Sequence, residues 1–412
     1  MSVFSLTASN DSDPWVDIYE EAENLVKAVK KELHGHVAQS DKFLSHLCTL
    51  SGVHETLTAN VLADHYNHDQ RRWKDWPTGT YTPRFKSFQR IASFCSDSRS
   101  PTLLHVHRTL AREDSGPPRL EWPTDAERRV LLCSICENFK SITELIPLAF
   151  HARQFLTRWM FLKSIYGVLL SYTHVVFVRF DRSGVILSQA IDLHEEPELL
   201  LRSIMGCTSL IEQSLDTSVS TANGQAILSR PSPPGEMTSY IVEESIHQNH
   251  VLRGSGTRVL SVFKSDKPET KLVFKDWWRD QNGIDESEVM IAVSGLFGLP
   301  HYVSHWAVCE PDGEVQTTDF LDKDLKPAPN FVDEDDIVRY SNQPDSEDVD
   351  PDADEVKTAS SSLNRESRIH CRMLSRDRGH HLLQFRNTPR VVLTAIHDAI
   401  LGELFKRLAF VR

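Results

Sequence analysis

Arg253-Gly254-Ser255-Gly256-Thr257-Arg258-Val259-Leu260-Ser261-Val262, then Leu272-Val273-Phe274-Lys275-Asp276-Trp277-Trp278, then Asp285-Glu286-Ser287-Glu288-Val289-Met290, is the stretch that decides the fold. It reads as a glycine turn between two strands, a further strand carrying a lysine, and an apolar helix opened by acids. Gly254 and Gly256 have no Cβ, so the backbone N–H groups of the turn can come close to a phosphate. Strand alternation points Lys275 opposite to Phe274, off the core face. Glu286, Val289, Met290 and Val293 fall at i, i+3, i+4 and i+7 on one helical face, which places a carboxylate where it can orient Lys275. Glu288 is the alternative partner, but it lies off that stripe. A glycine pair alone is more often a plain hairpin, and a lysine ending a strand is more often only solvated. The order of the three features, with strand chemistry between them, is what carries the reading.

Flanking segments extend the pattern. Upstream stand Phe180-Asp181-Arg182-Ser183-Gly184-Val185 and Asp192-Leu193-His194, and near the end stands Asp398-Ala399-Ile400. With Arg253–Val259, Val273–Trp278, Glu286 and Val289-Met290, these motifs resemble the fungal-type protein kinases, a divergent branch of the kinase superfamily, from about His151 to Arg412. The resemblance implies a kinase-type small lobe, with Gly254, Gly256 and Lys275 holding the phosphates of ATP, Glu286 orienting Lys275, and Mg accompanying the nucleotide. It implies phosphoryl transfer to protein Ser or Thr. The third glycine of the kinase pattern is missing, since Val259 stands there.

In the family the Asp398-Ala399-Ile400 helix leads into a catalytic loop with a His-Arg-Asp base and a metal-binding Asn, followed by an Asp-Phe-Gly segment. The sequence reaches Arg412 where that loop is due. Ser375-Arg376-Asp377 has no Asn at the required distance, and Phe180-Asp181-Arg182 lies on the wrong side of Lys275. No catalytic and no metal-binding residue is therefore assigned. The expected fold class is α+β: a helical N-terminal region, then a kinase-like small lobe of one antiparallel sheet and one helix, with the large lobe absent and the chain inactive on its own. The alternative is a non-catalytic interaction protein.

Composition sets the bounds. The 412 residues suit two or three domains, and 40% hydrophobic with 25% charged content is ordinary for a globular protein. No run of about 18 apolar residues predicts a membrane span. The polar N-terminus does not read as a targeting peptide, so a cytoplasmic or nuclear location is expected. Seven scattered cysteines fit reduced thiols; Cys133 and Cys136, the one close pair, read as core cysteines of a helix. His301 and His305 have helical metal-ligand spacing but no third ligand. Asp333 to Glu355 holds eleven acids against Arg339, so −10 of the net −13 lies in one segment. With no basic tract to balance it, nucleic acid is not an expected partner.

Along the chain, 1–150 reads as mainly helical. Residues 151–211 read as an antiparallel hairpin region with Asp181 and Arg182 as fold markers, and 212–240, rich in Ser, Thr and Pro, as a linker. The small lobe follows over 241–412. Its acidic insertion, about 323–364, has the composition of a disordered segment. Tyr302 to Glu310 should pair with a strand near Ile369 to Leu374. Leu393, Ile396, Ile400, Leu404 and Leu408 line one face of a last helix. That uncovered face and the acidic loop are the expected docking places for a protein partner.

Overall fold

The computed structural model describes residues 14–51, 55–77, 81–95, 102–105, 130–136, 139, 142–222, 224–232, 236–292, 294, 300–321, 325–328, 363, 365–378 and 390. The last helix and most of the acidic insertion lie outside these residues, and with them the two expected docking places.

The elements run α1 (Pro14–Leu33), β1 (Val37–Ser40), α2 (Phe43–Leu50), α3 (Glu55–His65), β2 (Tyr66–Asn67), β3 (Arg72–Trp73), α4 (Tyr81–Phe94), β4 (Thr102–His105), β5 (Val130–Ile135), α5 (Ile142–Arg158), β6 (Ser164–Leu170), β7 (His174–Asp181), β8 (Gly184–Leu187), β9 (Ile191–Asp192) and α6 (Pro197–Gln213). Then come β10 (Val219–Ala222), β11 (Gln225–Ser232), β12 (Glu236–Gln248), β13 (Arg258–Lys264), β14 (Lys267–Asp280), α7 (Glu286–Ala292), β15 (Tyr302–Ala307), β16 (Leu325–Pro327) and β17 (Arg368–Ser375).

Two large sheets result. The first is mixed, in the order β16-β1-β8-β7-β6-β5-β4, with β9 beside β7. Strands β4, β5 and β6 are parallel, β6, β7 and β8 antiparallel. Its centre is buried on both faces, so its strands are near-continuous apolar runs. Val130 and Leu132 of β5, Ile165 and Leu169 of β6 and Val176, Val178 and Phe180 of β7 join the core that holds α1 and α5. The alternate residues Leu131, Cys133, Tyr166, Val168, Val175 and Phe177 join the core that holds α2, α4 and α6. The second sheet is antiparallel, in the order β10-β11-β12-β13-β14-β17-β15. Its inward residues Leu260, Val262, Leu272, Phe274 and Leu374 belong to the same cluster as α1 and α5, so one apolar core runs through both halves of the protein.

The mixed α/β architecture agrees with the expected class, and the partner of β15 is β17 as its position suggested. Among its described residues the region 1–150 is mainly helical, and it also supplies the sheet strands β1, β4 and β5. Three expectations are corrected. A short apolar run such as Val130–Ile135 has no period that separates a buried strand from a buried helix, so Cys133 lies in a strand and not in a helix; it and Cys136 are both buried and unbridged. The stretch 212–240 is not a linker. It forms β10, β11 and the start of β12, and Val219, Ala226 and Leu228 point into the core while polar residues alternate outward. Nor does the acidic insertion begin without structure: Leu325–Pro327 is an edge strand on β1.

Candidate functional site

Strand β14 lies between β13 and β17, with Lys275 opposite Val259 on one side and Met373 on the other. Its two faces differ completely. Leu272, Phe274, Asp276 and Trp278 are buried on one. Lys275 and Trp277 occupy the other, where Trp277 packs with Cys371, Met373 and Met290 of α7.

Lys275 Nζ donates to Glu286 Oε2, and Glu288 is exposed, so Glu286 is the partner. The pair is partly solvated, with side-chain exposures of 23% and 44%. Nζ also lies 5.0 Å from the Trp277 ring centroid. Helix α7 starts where it does because Asp285 caps it: Oδ1 accepts from the Ser287 N–H at 2.9 Å. Burial would raise the Asp285 carboxyl, but those Ser287 hydrogen bonds and Arg279 hold it below the usual carboxylate range.

The glycine turn, residues 249–257, is built differently from the sequence expectation. Gly254 and Gly256 have φ of +109° and +50°, conformations costly for other residues. A Cβ on Gly254 would meet nothing within 4 Å, whereas one on Gly256 would stand 2.5 Å from the Arg182 guanidinium carbon. The Gly254 N–H donates to the Arg182 carbonyl at 2.9 Å, so it is engaged inside the protein and does not face a phosphate. Leu252 N–H donates to Glu32 Oε2 at 2.6 Å, and Trp278 N–H to the Ser255 carbonyl at 2.8 Å. Among the described residues, no acceptor meets the N–H groups of Ser255 and Gly256.

Asp181 and Arg182 therefore explain part of the glycine motif. Asp181 closes the β7–β8 hairpin by accepting the Ser183 N–H at 2.9 Å and pairs with Arg179 at 3.1 Å and Arg365 at 2.6 Å. Arg182 donates to the carbonyls of Val251 at 2.5 Å and Leu156 at 2.7 Å. Arg258, at the end of the glycine motif, also donates to Leu156 and, at 3.0 Å, to Thr157. Two arginines from two separated motifs thus cap the C-terminus of α5, where carbonyls lack helical partners and the dipole favours cations. Burial, and the nearness of Arg258, lower the Arg182 pKa.

Behind β14 lies a buried charge network that the sequence reading did not include. Asp276 Oδ1 accepts from Arg372 Nε at 2.8 Å and lies 2.9 Å from His370 Nε2. Arg372 Nη2 continues to Asp216 at 2.5 Å. His370 stacks on Trp278 with centroids 4.5 Å apart, and its Nδ1 lies 2.8 Å from Gln316 Oε1. Burial would raise the Asp276 carboxyl, but His370, Arg372 and Arg258 outweigh it and hold the group far below the usual range. The signal was present: alternation puts Asp276 on the face of Leu272 and Phe274, and a charge there requires partners.

The other expected groups lie apart. His301 pairs with Asp377 at 2.8 Å and His305 Nδ1 lies 2.6 Å from the Tyr302 hydroxyl. They belong to β15 and its approach, where four residues span about 13 Å, so the spacing is not that of a helical metal pair. Among the described residues no group of three or more His, Cys, Asp or Glu could hold a metal, and no helix is long and apolar enough to cross a membrane.

The antiparallel sheet thus carries a lysine paired with a glutamate of an acidic helix, beside a glycine turn. The family model described as fungal protein kinase matches residues 128–408, and the chain belongs to the fungal protein kinase family. The match begins at β5, so it takes in part of the first sheet as well as the whole of the second. No curated protein and no solved structure matches the chain.

Proposed function

We propose that this chain binds ATP on the Lys275 face of the second sheet, as the nucleotide-binding part of a kinase that phosphorylates protein Ser or Thr. The observation that carries the reading is the Lys275–Glu286 pair between β14 and α7. Lys275 would meet the α- and β-phosphates, and Glu286 would hold its ammonium in place. Since the Gly254 N–H is engaged by Arg182, the donors left for a phosphate are the N–H groups of Ser255 and Gly256. Phosphoryl transfer depends on positioning and on metal-held charge. The sequence contains neither His-Arg-Asp nor Asp-Phe-Gly, so this chain alone is expected to bind nucleotide without appreciable transfer.

Thermal unfolding with millimolar ATP tests the site. A ligand at about ten times its Kd adds about 1.4 kcal/mol of stability, and Lys275→Ala should abolish that rise. No shift in the parent protein would leave the alternative, a non-catalytic member of the family that works by binding another protein.

A further inference from the structure

We infer that Arg182 and Glu32, far from the glycine motif in sequence, are positioning residues that hold the glycine turn ready for a nucleoside polyphosphate. The inference rests on the proposed ATP site. The turn has two residues at positive φ, and ordering such a segment only when ligand arrives costs about 1–2 kcal/mol per residue. Here the ordering is already done by groups of the first half of the protein. The Arg182 carbonyl takes the Gly254 N–H at 2.9 Å, and its guanidinium holds the Val251 carbonyl at 2.5 Å and the Leu252 carbonyl at 3.3 Å. Glu32 of α1 takes the Leu252 N–H at 2.6 Å. Arg182 is 2% exposed, and its own carbonyl partner Leu156 fixes it to α5. The turn thus rests on α1 through Glu32 and on α5 through Arg182.

The side from which this clamp acts decides between holding and blocking. Arg182 shares the Leu156 carbonyl with Arg258. Arg258 stands opposite Asp276 on β14, lies 3.8 Å from its carboxylate and is buried with it. Lys275 is the next residue and points to the other face. The clamp therefore grips the turn from behind and leaves the lysine face open. Gly256 is needed for the same reason: any side chain there would displace the Arg182 guanidinium.

The test uses the full chain, with Glu32→Ala to release the turn, Glu32→Gln to keep an acceptor in place, and Lys275→Ala as the site control. Amide exchange of Leu252 and Arg253 reports the hold on the turn, and calorimetric titrations with ATP and with adenosine report the site. Expected are faster exchange in Glu32→Ala, ATP affinity about tenfold weaker, adenosine affinity changed by less than about twofold, and most of the ATP affinity restored in Glu32→Gln. Only the phosphate-bearing ligand should suffer, which general loosening of the protein would not produce. Faster exchange with unchanged or tighter ATP binding overturns the positioning role while the ATP site stands. Equal loss for adenosine and ATP overturns it as well. A parent protein that binds neither ligand overturns the nucleotide reading and this inference together, and is recognised before any variant is compared.

Discussion

Lys275 and Asp276 are neighbours on one strand, and their charges live in opposite worlds. Lys275 and its partner Glu286 keep 23% and 44% of their side-chain surface in water. Asp276, Arg372 and Asp216 have side chains at most 2% exposed, and Arg372 bonds to both carboxylates. A solvated pair contributes little to stability and is free for function. A buried set costs several kcal/mol to desolvate, and breaking it strands an uncompensated charge. The two faces of β14 divide the work: one presents a candidate site, the other joins the second sheet to the first half of the chain.

The largest expected effect is on the buried face. Asp276→Asn leaves Arg258 without its carboxylate and Arg372 with Asp216 alone, and should cost about 3–5 kcal/mol, read as a lowered urea midpoint. A loss below about 1 kcal/mol would mean that the network is not what joins the two sheets.

Acid should expose the same difference. Asp181, Asp216 and Asp276 are all held below the ordinary carboxylate value, by arginines that outweigh the effect of burial and, for the last two, by His370 as well. The unfolded chain then binds more protons than the folded one, so these groups contribute stability above their unfolded pKa of about 3.9 and lose it as pH falls through the lower folded values. Unfolding free energy should be level from about pH 7 to 5 and fall steeply below about pH 4. In Asp276→Asn the acid slope should be shallower, because one of the titrating groups is gone.

The two glycines give a finer comparison. Gly256→Ala must move the Arg182 guanidinium as well as strain the backbone, and about 2–4 kcal/mol is expected. Gly254→Ala meets only the backbone penalty, of about 1–2 kcal/mol. Equal losses in thermal unfolding would show that Arg182 yields easily and does not fix the turn. The smallest effect on stability should come from Lys275→Ala, below about 1 kcal/mol without ligand, although that variant should lose the response to ATP entirely.

Much of the candidate site was legible in the sequence. Alternation placed Lys275 off the core face, helical spacing selected Glu286 over Glu288, and the glycines marked a turn that needs positive φ. The strands β12, β13, β14, β15 and β17 could be traced from apolar alternation and from the family motifs. The first sheet was less legible. Strands β4 and β5 come from a region that reads as helix, because a strand buried on both faces leaves no polar period. Strands β10 and β11 come from a stretch whose Ser and Pro content reads as linker, and only their pairing with β12 makes strands of them.

The sequence by itself determined the family, the lysine and glutamate of the candidate site, and the alternation that separates the two faces of β14. These depend on local periodicity and on residues near one another in the chain. Only the tertiary structure decided that the Gly254 N–H belongs to Arg182, that Leu252 is held by Glu32, and that Arg182 and Arg258 meet on one helix end. Those contacts join residues separated by 72, 220 and about 100 positions, and no local pattern encodes them, because a buried donor takes whichever acceptor the packing of the two sheets brings within reach.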